Sequence, residues 1–350
     1  MWWHASPNGE RLICDLCPRH CAIASGERGF CFVRENRDGR IVSTTYGRST
    51  GFCVDPIEKK PLHHFYPGTP ILSFGTAGCN LGCKFCQNWT MSRSRDVEAA
   101  CERAAPESIA AAARRLGCRA VAFTYNDPII WAEYAIDTAR ACRALGIKTV
   151  AVTSGYITAT ARADFFGPMD AANVDLKGFT DRFYREYCAA RLQPVLDTLR
   201  WLVRETTTWV EITNLIIPEA NDSPDELRKM CRWIAAELRP DVPVHFSAFH
   251  PTFELTDRRP TPLSTLHAAY DIAREEGLKY VYIGNLHDPE RQHTYCPGCG
   301  NSVIRRDGYT IAGYSILDDR CVNCQSPIAG RFDNAPGDWG ERRMPVKIKN

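Results

Sequence analysis

The chain has 350 residues, of which 44% are hydrophobic and 24% charged, as expected for a globular protein with one large core and room for small modules. Its 43 basic and 41 acidic residues give a net charge of +2, so composition provides no general electrostatic attraction to nucleic acid or to an anionic membrane. No apolar run approaches the roughly 18 residues that span a bilayer, and the first residues lack a secretory signal, so we expect a cytoplasmic protein.

The first 70 residues are predicted to form a Cys-rich module and a lead-in segment. From residue 71 to residue 290, short apolar runs alternate with longer helical stretches. The runs are almost continuously apolar, which is typical of buried parallel strands. The predicted strands are ILSFG (71–75), AVAFTY (120–125), KTVAVTS (148–154), ANVDLK (172–177), WVEITNLII (209–217), PVHFSAF (243–249) and YVYIG (280–284).

Helical patterns lie between these runs, at 106–117, 131–146 and 223–238. The last begins at Ser223, a residue type that caps helices. Repeated β–α units predict a parallel sheet, and six or seven of them suit an open or partial (β/α) barrel. The sequence thus predicts an α/β fold with a partial barrel over 71–290, a four-cysteine module over 291–330, and a polar tail over 331–350 that forms an irregular arm.

Polar loops follow the predicted strands, where the chemistry of such a barrel gathers. Ordinary turns between strands and helices also use Gly, Asn and Asp, so for any one loop both interpretations stand. The loops are GTAGC, TYNDP, TSGY, DLKGF, FHP and GNLHD.

Seventeen cysteines are unusual in a chain with no sign of secretion, because cytosolic thiols stay reduced. Five isolated ones are predicted to be small buried apolar residues: Cys101, Cys118, Cys142, Cys188 and Cys231. Cys53 stands apart, beside a segment rich in titratable groups. The other eleven form three groups at ligand spacing and predict three metal sites: Cys14, Cys17, Cys21 and Cys31; Cys79, Cys83 and Cys86; Cys296, Cys299, Cys321 and Cys324.

The central group has the spacing C-x3-C-x2-C directly after a predicted strand. Three thiolates so close together can hold one iron–sulfur cubane while its fourth iron keeps no protein ligand, as a catalytic centre requires. Gly75, Gly78 and Gly82 allow the backbone to turn around the sulfurs. A zinc knuckle that borrows another ligand is the alternative.

This motif, with Phe85 before the last cysteine, resembles the signature of radical S-adenosylmethionine (radical SAM) enzymes. Further segments are similar to the radical SAM component of the AmmeMemoRadiSam system, which is related to the activating enzymes of glycyl-radical proteins. These segments are CDLCPRHCAIASGERGFCFVREN, DPIEKKPLHHFYPG, CNLGCKFCQNW, TYNDP, VDLKGF, HFSAFHP, YVYIGN and YCPGCG.

The resemblance implies a [4Fe–4S] cluster and S-adenosyl-L-methionine (SAM) as cofactors. Reductive cleavage of SAM would give a 5′-deoxyadenosyl radical that abstracts hydrogen from a protein or peptide, a nucleic acid base or a small molecule. It also implies an electron donor of the flavodoxin or ferredoxin type, and Memo-like and AMMECR-type partner proteins. The competing hypothesis is a non-enzymatic adaptor that binds several metal ions.

By the same resemblance, the SAM site follows the strand ends. Relatives more often have Glu than Asp at 127, and Arg is common where Ala248 stands. The implied SAM-binding residues are Thr124, Tyr125, Asn126, Asp127, Ser154, Asp175 and Lys177.

Five residues are candidates for catalysis on the substrate side: Lys177, His250, Glu58, Lys59 and His64. For Lys177 and His250 the alternative is a solvated rim residue. Glu58, Lys59 and His64 belong to DPIEKKPLHHFYPG, a segment whose position allows it to fold over the barrel mouth.

The two flanking cysteine groups can each close a four-thiolate site. Two C-x2-C pairs at the C-terminal end are typical of a zinc ribbon, with a DG-turn hairpin between them, and a rubredoxin-like iron or an auxiliary [4Fe–4S] cluster are the alternatives. At the N-terminal group, spacing alone leaves zinc and a second iron–sulfur cluster open.

Overall fold

The computed structural model of the protein describes residues 1–95 and 102–348, so Cys101 lies outside the described residues. A nine-strand sheet dominates it, with the spatial order β8-β7-β6-β5-β4-β3-β2-β1-β9. Strands β2 to β8 are parallel and lie in chain order. The strands are β1 (Phe52–Pro56), β2 (Pro70–Phe74), β3 (Ala120–Phe123), β4 (Lys148–Thr153), β5 (Ala171–Asp175), β6 (Trp209–Ile216), β7 (Val244–Ala248), β8 (Val281–Gly284) and β9 (Met344–Val346).

Helices alternate with these strands, as the sequence predicts. In the described part of the chain, none of them is long and apolar enough to cross a bilayer. Ser223 caps its helix as predicted, because its side chain accepts a hydrogen bond from the Glu226 amide. The helices are α1 (Trp89–Ser92), α2 (Pro106–Arg115), α3 (Ala132–Ala144), α4 (Ala159–Phe166), α5 (Asp181–Cys188), α6 (Gln193–Glu205), α7 (Pro224–Trp233), which continues as a π-helix over Ile234–Leu238, and α8 (Leu263–Glu275).

The seven predicted strands are all present as the parallel part of the sheet. Alternate residues of each strand face the helices, as Leu72 and Phe74 of β2 do in the main core. The other residues face the inside of the curved sheet, where a second core includes Ile71, Ala120 and Val150. The predicted α/β class is confirmed.

The lead-in segment after β1 packs against the inner face of the sheet. Its apolar residues Ile57, Leu62 and Phe65 contact residues at the amino-terminal ends of the strands, including Ala171 and Trp209. These apolar side chains anchor the segment at the base of the sheet. Its polar residues Glu58 and Lys59 line a cavity with Ser247 and Asn285 at the carboxyl ends of β7 and β8, so the segment also reaches toward the mouth.

Short strands build the modules on either side. The N-terminal module holds a three-strand sheet (Trp3–Ala5, Arg11–Cys14, Ala22–Ala24) and a hairpin (Arg34–Arg37, Arg40–Ser43), and Arg48–Ser49 pairs with Glu102–Arg103. The C-terminal module holds Thr294–Tyr295, Ser302–Asp307 and Thr310–Tyr314, and the pair Ile316–Leu317 and Arg320–Cys321. Its predicted hairpin is confirmed, with Gly308 at a φ of 56° in the turn.

The tail differs from its prediction over three residues. Met344–Val346 pairs antiparallel with β1 as edge strand β9 instead of continuing as an irregular arm. The exposed edge of β1 supplies the unpaired backbone groups, and Pro345, which lacks an N–H, is tolerated because the strand is at the sheet edge.

Candidate metal centre and active site

The loop after β2 carries Cys79, Cys83 and Cys86. Cys83 is buried, and the other two are partly exposed. A Cβ atom added to Gly75 would lie 2.3 Å from the Thr124 carbonyl oxygen, and Gly78 has a φ of 84°. Glycine is therefore required at both positions for the loop to lie this close to its neighbours.

Asn126, in the loop after β3, fastens the cysteine loop to the sheet. Its Oδ1 accepts a hydrogen bond from the Thr76 amide at 3.1 Å, and its Nδ2 donates to the Gly78 carbonyl at 2.8 Å. Trp131 Nε1 donates to the same Oδ1 at 3.3 Å. All polar atoms of this buried side chain thus hold the cysteine loop, which makes Asn126 a positioning residue.

Asp127 connects the loops after β3 and β4. Its Oδ1 accepts hydrogen bonds from the Ile129 amide at 3.1 Å and the Thr153 hydroxyl at 2.9 Å, and the first of these caps a 3-10 helix over Pro128–Trp131. Its Oδ2 accepts from the Ser154 amide at 3.0 Å and from the Ser154 hydroxyl. Four donors match the roughly four lone-pair sites of a carboxylate.

Thr124 and Tyr125 begin the loop after β3 and have different contacts. The Thr124 amide continues the β2–β3 ladder by donating to the Phe74 carbonyl at 2.9 Å. Tyr125 has a φ of 70°, and its hydroxyl donates to Asp55 Oδ2 at 2.8 Å. This pair links the end of β3 to the lead-in side of the sheet interior.

Asp55 is the centre of a buried charge cluster. Lys60 Nζ lies 2.6 Å from its Oδ2 and Lys59 Nζ lies 3.2 Å from its Oδ1. Although burial opposes it, the Lys60 ammonium lowers the pKa of Asp55 to about 2. Burial in turn lowers the pKa of Lys60 to about 8. Lys59, one of the catalytic candidates, is therefore paired and about one-third exposed.

Asp175 and Lys177 end β5 beside the cysteine loop, and Lys177 Nζ lies 2.9 Å from Asp175 Oδ2. The ammonium is 5.9 Å from the ring of Phe85. Both side chains are partly exposed beside the cysteine loop, and each neutralises the charge of the other.

Cys188 is a neighbour of the loop that the sequence prediction did not single out. Its carbonyl accepts a hydrogen bond from the Gly82 amide at 2.8 Å, and its thiol, together with burial, raises the pKa of Cys83 well above the ordinary value. Cys188 is buried, as predicted for an isolated cysteine, yet α5 brings it from a distance of more than a hundred residues. No local sequence pattern indicates that approach.

The remaining catalytic candidates are spread over the molecule. His64 is fully buried, with Nδ1 2.6 Å from the Ala329 carbonyl and Nε2 at the Tyr282 hydroxyl, so both ring nitrogens join the barrel to the C-terminal module. His250 is exposed after β7. Burial raises the pKa of Glu58 to about 7, against the opposing charge of Arg306.

A buried carboxylate that the sequence analysis missed organises the lead-in segment. Glu211 of β6 accepts hydrogen bonds from the His63 and His64 amides at 2.9 and 2.8 Å. It also lies 2.7 Å from His245 Nε2 of β7, and this contact lowers the pKa of Glu211 although burial opposes it. A charged residue inside the otherwise apolar run WVEITN was the available signal.

The C-terminal cysteines gather as a metal site. The sulfur atoms of Cys296, Cys299, Cys321 and Cys324 all lie within 4.8 Å of one another. Cys296 and Cys324 are 3.5 Å apart, and Cys299 and Cys321 are 3.8 Å apart. Four thiolates around zinc at about 2.3 Å stand about 3.8 Å from each other, so this geometry fits a tetrahedral ion.

The N-terminal cysteines line a single small cavity together with Arg34 and Asn80. Cys14 and Cys31 are buried, and Cys17 and Cys21 are partly exposed. The predicted ligands are therefore brought together at this end of the molecule too.

The central loop fits an iron–sulfur cluster in its donor chemistry. Three soft thiol ligands share one loop whose glycines keep it close to the sheet, and the Leu81 amide points at Cys79 Sγ from 3.5 Å, as amides do toward cluster-bound sulfur. Cys79 and Cys86 are partly exposed, so the loop is accessible to solvent.

Comparison with known proteins identifies the central domain. Residues 74–234 match the Radical SAM superfamily. The chain is 43% identical over 320 residues to the uncharacterized protein MJ0808 of Methanocaldococcus jannaschii, covering 91% of this chain and 95% of that protein.

Solved structures show the same architecture. A radical SAM methyltransferase from Sphaerobacter thermophilus superposes with a TM-score of 0.52 and 15% identity, over 81% of this chain and 76% of that one. SuiB of Streptococcus suis, bound to the precursor peptide SuiA, superposes with a TM-score of 0.50 and 14% identity, over 66% and 52%. At such identities the similarity concerns the fold alone.

The matched domain and the parallel sheet agree with the three-cysteine loop at the carboxyl end of β2. A radical SAM domain implies a [4Fe–4S] cluster and SAM as cofactors. The chain belongs to the same family as MJ0808, and it is an enzyme that carries a radical SAM domain over residues 74–234.

Proposed function

We propose that Cys79, Cys83 and Cys86 bind a [4Fe–4S] cluster and that the protein uses it to abstract hydrogen from a substrate. The observation that carries the proposal is the loop itself: three thiols at the carboxyl end of a parallel strand, inside the matched domain. When bound, the cluster supplies the electron for cleavage of SAM into methionine and the 5′-deoxyadenosyl radical.

The chain's own residues hold this centre in place. Asn126 fixes residues 76–78, and Asp127 fixes the turn at Ser154, so we assign both a positioning role at the SAM site. Lys177 and Asp175 present one charge of each sign beside the loop, which suits the carboxylate and amino groups of SAM. A preorganised pair of this kind orients a ligand without rearrangement.

The substrate side is proposed to be the cavity between the lead-in segment and the ends of β7 and β8. Glu58, Lys59, His63 and Ser247 are among its lining residues. Glu58 Oε2 and His63 Nδ1 are buried there without a hydrogen-bond partner in the described structure. Because unpartnered buried polar atoms are costly, we infer that a polar group of the substrate pairs with them.

The finer family assignment is also a proposal. DPIEKKP and the motif CNLGCKFCQNW support the radical SAM component of the AmmeMemoRadiSam system, with Memo-like and AMMECR-type partners, a flavodoxin- or ferredoxin-type electron donor and a cytoplasmic location. At the C-terminal site we propose zinc, on the sulfur distances of 3.5 and 3.8 Å.

Electron paramagnetic resonance tests the proposed function. The protein is reconstituted anaerobically with iron and sulfide, reduced with dithionite, and measured before and after addition of SAM. We expect SAM to change the spectrum of the reduced cluster, because SAM would bind the one iron that has no protein ligand. Cys83→Ala should lack that change. A spectrum of the parent protein that SAM leaves unchanged would contradict the proposal.

A further inference from the structure

Arg93 and Phe30 pack directly on the cysteine loop. A Cβ atom added to Gly82 would lie 3.4 Å from Arg93 Nη2 and 3.5 Å from Phe30 Cζ. Arg19 lies over the Phe30 ring, with its Cζ 3.5 Å from the ring centroid. Its guanidinium also donates to the carbonyl of Asn80 in the same loop. The cysteine loop is thus in contact with two guanidinium groups.

Two further cations extend this group. Lys84 belongs to the cysteine loop, is exposed, and has its Nζ 5.8 Å from the centroid of the Tyr187 ring. Arg191 is exposed and donates to the carbonyl of Pro18, the residue before Arg19, at 3.2 Å. We call the four cations the basic patch: Arg19, Lys84, Arg93 and Arg191.

Neighbouring acids do not neutralise the basic patch. Among the residues that the structure describes, none of its four cations has a carboxylate oxygen within 4.0 Å. Arg185 on the neighbouring helix α5 differs, because it is paired with Asp181 at 3.1 Å. One exposed acid lies beside the patch, Glu254, whose amide donates to the Lys84 carbonyl at 3.0 Å. The cations outnumber it, so the patch carries a net positive charge.

Exposed aromatic rings lie within the same surface. Trp89 follows the cysteine loop, is 43% exposed, and stacks on Phe253 with the ring centroids 5.4 Å apart. Arg93 Cζ lies 5.8 Å from the centroid of the Phe253 ring, so this stack adjoins the patch. Phe30 is also exposed. Exposed apolar rings among positioned cations are typical of a surface that binds another protein.

The proposed substrate cavity is separate from the basic patch. Glu58, Lys59 and Ser247 are among the residues that line the cavity, and no residue of the patch is. Cleavage of SAM takes up an electron from outside the chain, and redox partners meet over small interfaces that complementary charges steer. An acidic electron carrier therefore fits both the charge of the patch and its place on the cysteine loop.

We propose that the basic patch is the docking surface for a small acidic electron-carrier protein that holds a flavin or an iron–sulfur group. In each transfer the carrier is oxidised by one electron, and the centre at Cys79, Cys83 and Cys86 is reduced by one. The docking surface thus rests on the proposed function, and it adds where the electron donor binds.

Binding of an acidic flavodoxin, in its oxidised form, tests the docking surface without any turnover. It is titrated by calorimetry against the reconstituted full-length protein. For the parent we expect affinity to fall at least about tenfold between about 50 and 500 mM KCl, because salt screens an interface between opposite charges. Arg93→Glu/Arg191→Glu should weaken binding at least about tenfold at the lower salt concentration.

The matched control is Arg115→Glu/Lys279→Glu. Both residues are exposed and precede β3 and β8, so they lie at the end of the sheet opposite the cysteine loop. This variant should bind flavodoxin as the parent does. If Arg93→Glu/Arg191→Glu fails to fold, as judged by circular dichroism, the salt dependence of the parent decides alone.

Formation of 5′-deoxyadenosine with two reductants separates docking from chemistry. With reduced flavodoxin, Arg93→Glu/Arg191→Glu should be at least about tenfold slower than the parent. With dithionite, a small reductant that needs no docking surface, the two should be equal. Equal flavodoxin binding by parent and variant, binding that salt leaves unchanged, or tighter binding of a single-stranded RNA oligonucleotide at the patch would overturn the docking proposal. A parent that forms no product with dithionite would instead contradict the proposed function.

Discussion

Replacing Asp127 by Asn separates a structural role of this carboxylate from direct binding of SAM. The carboxylate accepts four hydrogen bonds, two from backbone amides and two from hydroxyls. The amide oxygen of Asn can accept only on one side, and its NH2 group then faces a donor. Whichever way Asn is oriented, either the Ile129 amide or the Ser154 amide is left unpaired.

An unsatisfied buried donor costs about 1–3 kcal/mol. For a chain of this size we expect the melting temperature of Asp127→Asn to fall by about 1–4 °C. Once only the folded protein is counted, its SAM affinity should change by less than about threefold, because no free acceptor of Asp127 is left for the SAM ammonium. Thermal unfolding followed by circular dichroism and anaerobic SAM titration measure the two effects.

Asp38→Asn is the matched control. Asp38 is exposed at a hairpin tip with a φ of 52°, a conformation that Asn also adopts, so the same chemical change should leave stability within about 0.5 kcal/mol. An unchanged melting temperature of Asp127→Asn together with a loss of SAM affinity of about 30-fold or more would refute the reasoning. That result would place Asp127 in a charge pair with SAM.

Four further outcomes follow from the structure. Cys86→Ala should lose the central cluster and all SAM cleavage while the zinc content stays unchanged, since the two sites are separate; residual cleavage at the parent rate would contradict this. Cys299→Ala should lose zinc and melt at a much lower temperature, because structural zinc contributes on the order of 10 kcal/mol to folding, and intact zinc with a normal melt would argue against it. Cys188→Ser should keep the parent's iron content, whereas a loss of about four irons would make Cys188 a ligand. Glu58→Gln should flatten the pH dependence of stability. The pKa of Glu58 is raised to about 7 from an ordinary 4.5, so the group contributes stability below pH 4.5 that is lost as the pH rises through 7. The variant should therefore gain up to roughly 3 kcal/mol on the parent between pH 5 and 8, and an equal pH dependence of the two melting temperatures would refute this.

The strands could be predicted from the sequence because burial on both faces leaves a local pattern. The run AVAFTY gave β3, which ends at Phe123, and WVEITNLII gave β6, which ends at Ile216. The cysteine groups were equally visible, since ligand spacing is itself local. The pattern does not show where each strand ends, because the apolar run continues into the following loop.

The roles of the loop residues could not be predicted in the same way. TYNDP indicates a functional loop, but that Asn126 bonds to residues 76–78 and Asp127 to Ser154 depends on which loops the parallel sheet brings side by side. Similarly, the sequence makes His64 a catalytic candidate, but it does not indicate that both ring nitrogens contact Ala329 and Tyr282. Long-range partners decide these functions.

The edges of the sheet were unpredictable for a related reason. Met344–Val346 has no strand pattern of its own and becomes β9 because β1 offers an open edge. The position of the lead-in segment was unpredictable for the same reason. Its apolar residues are too few to define an element, and their contacts at the base of the sheet fix where it lies.

Formation of 5′-deoxyadenosine tests the central claim most directly. The anaerobically reconstituted protein is incubated with SAM and dithionite, and the products are quantified by liquid chromatography and mass spectrometry. Parent protein and the Cys142→Ala control should both release 5′-deoxyadenosine and methionine, and Cys83→Ala should release neither above background. Equal release by the parent and Cys83→Ala, or no release by a parent that carries its full iron content, would contradict the assignment of Cys79, Cys83 and Cys86 as the catalytic cluster site.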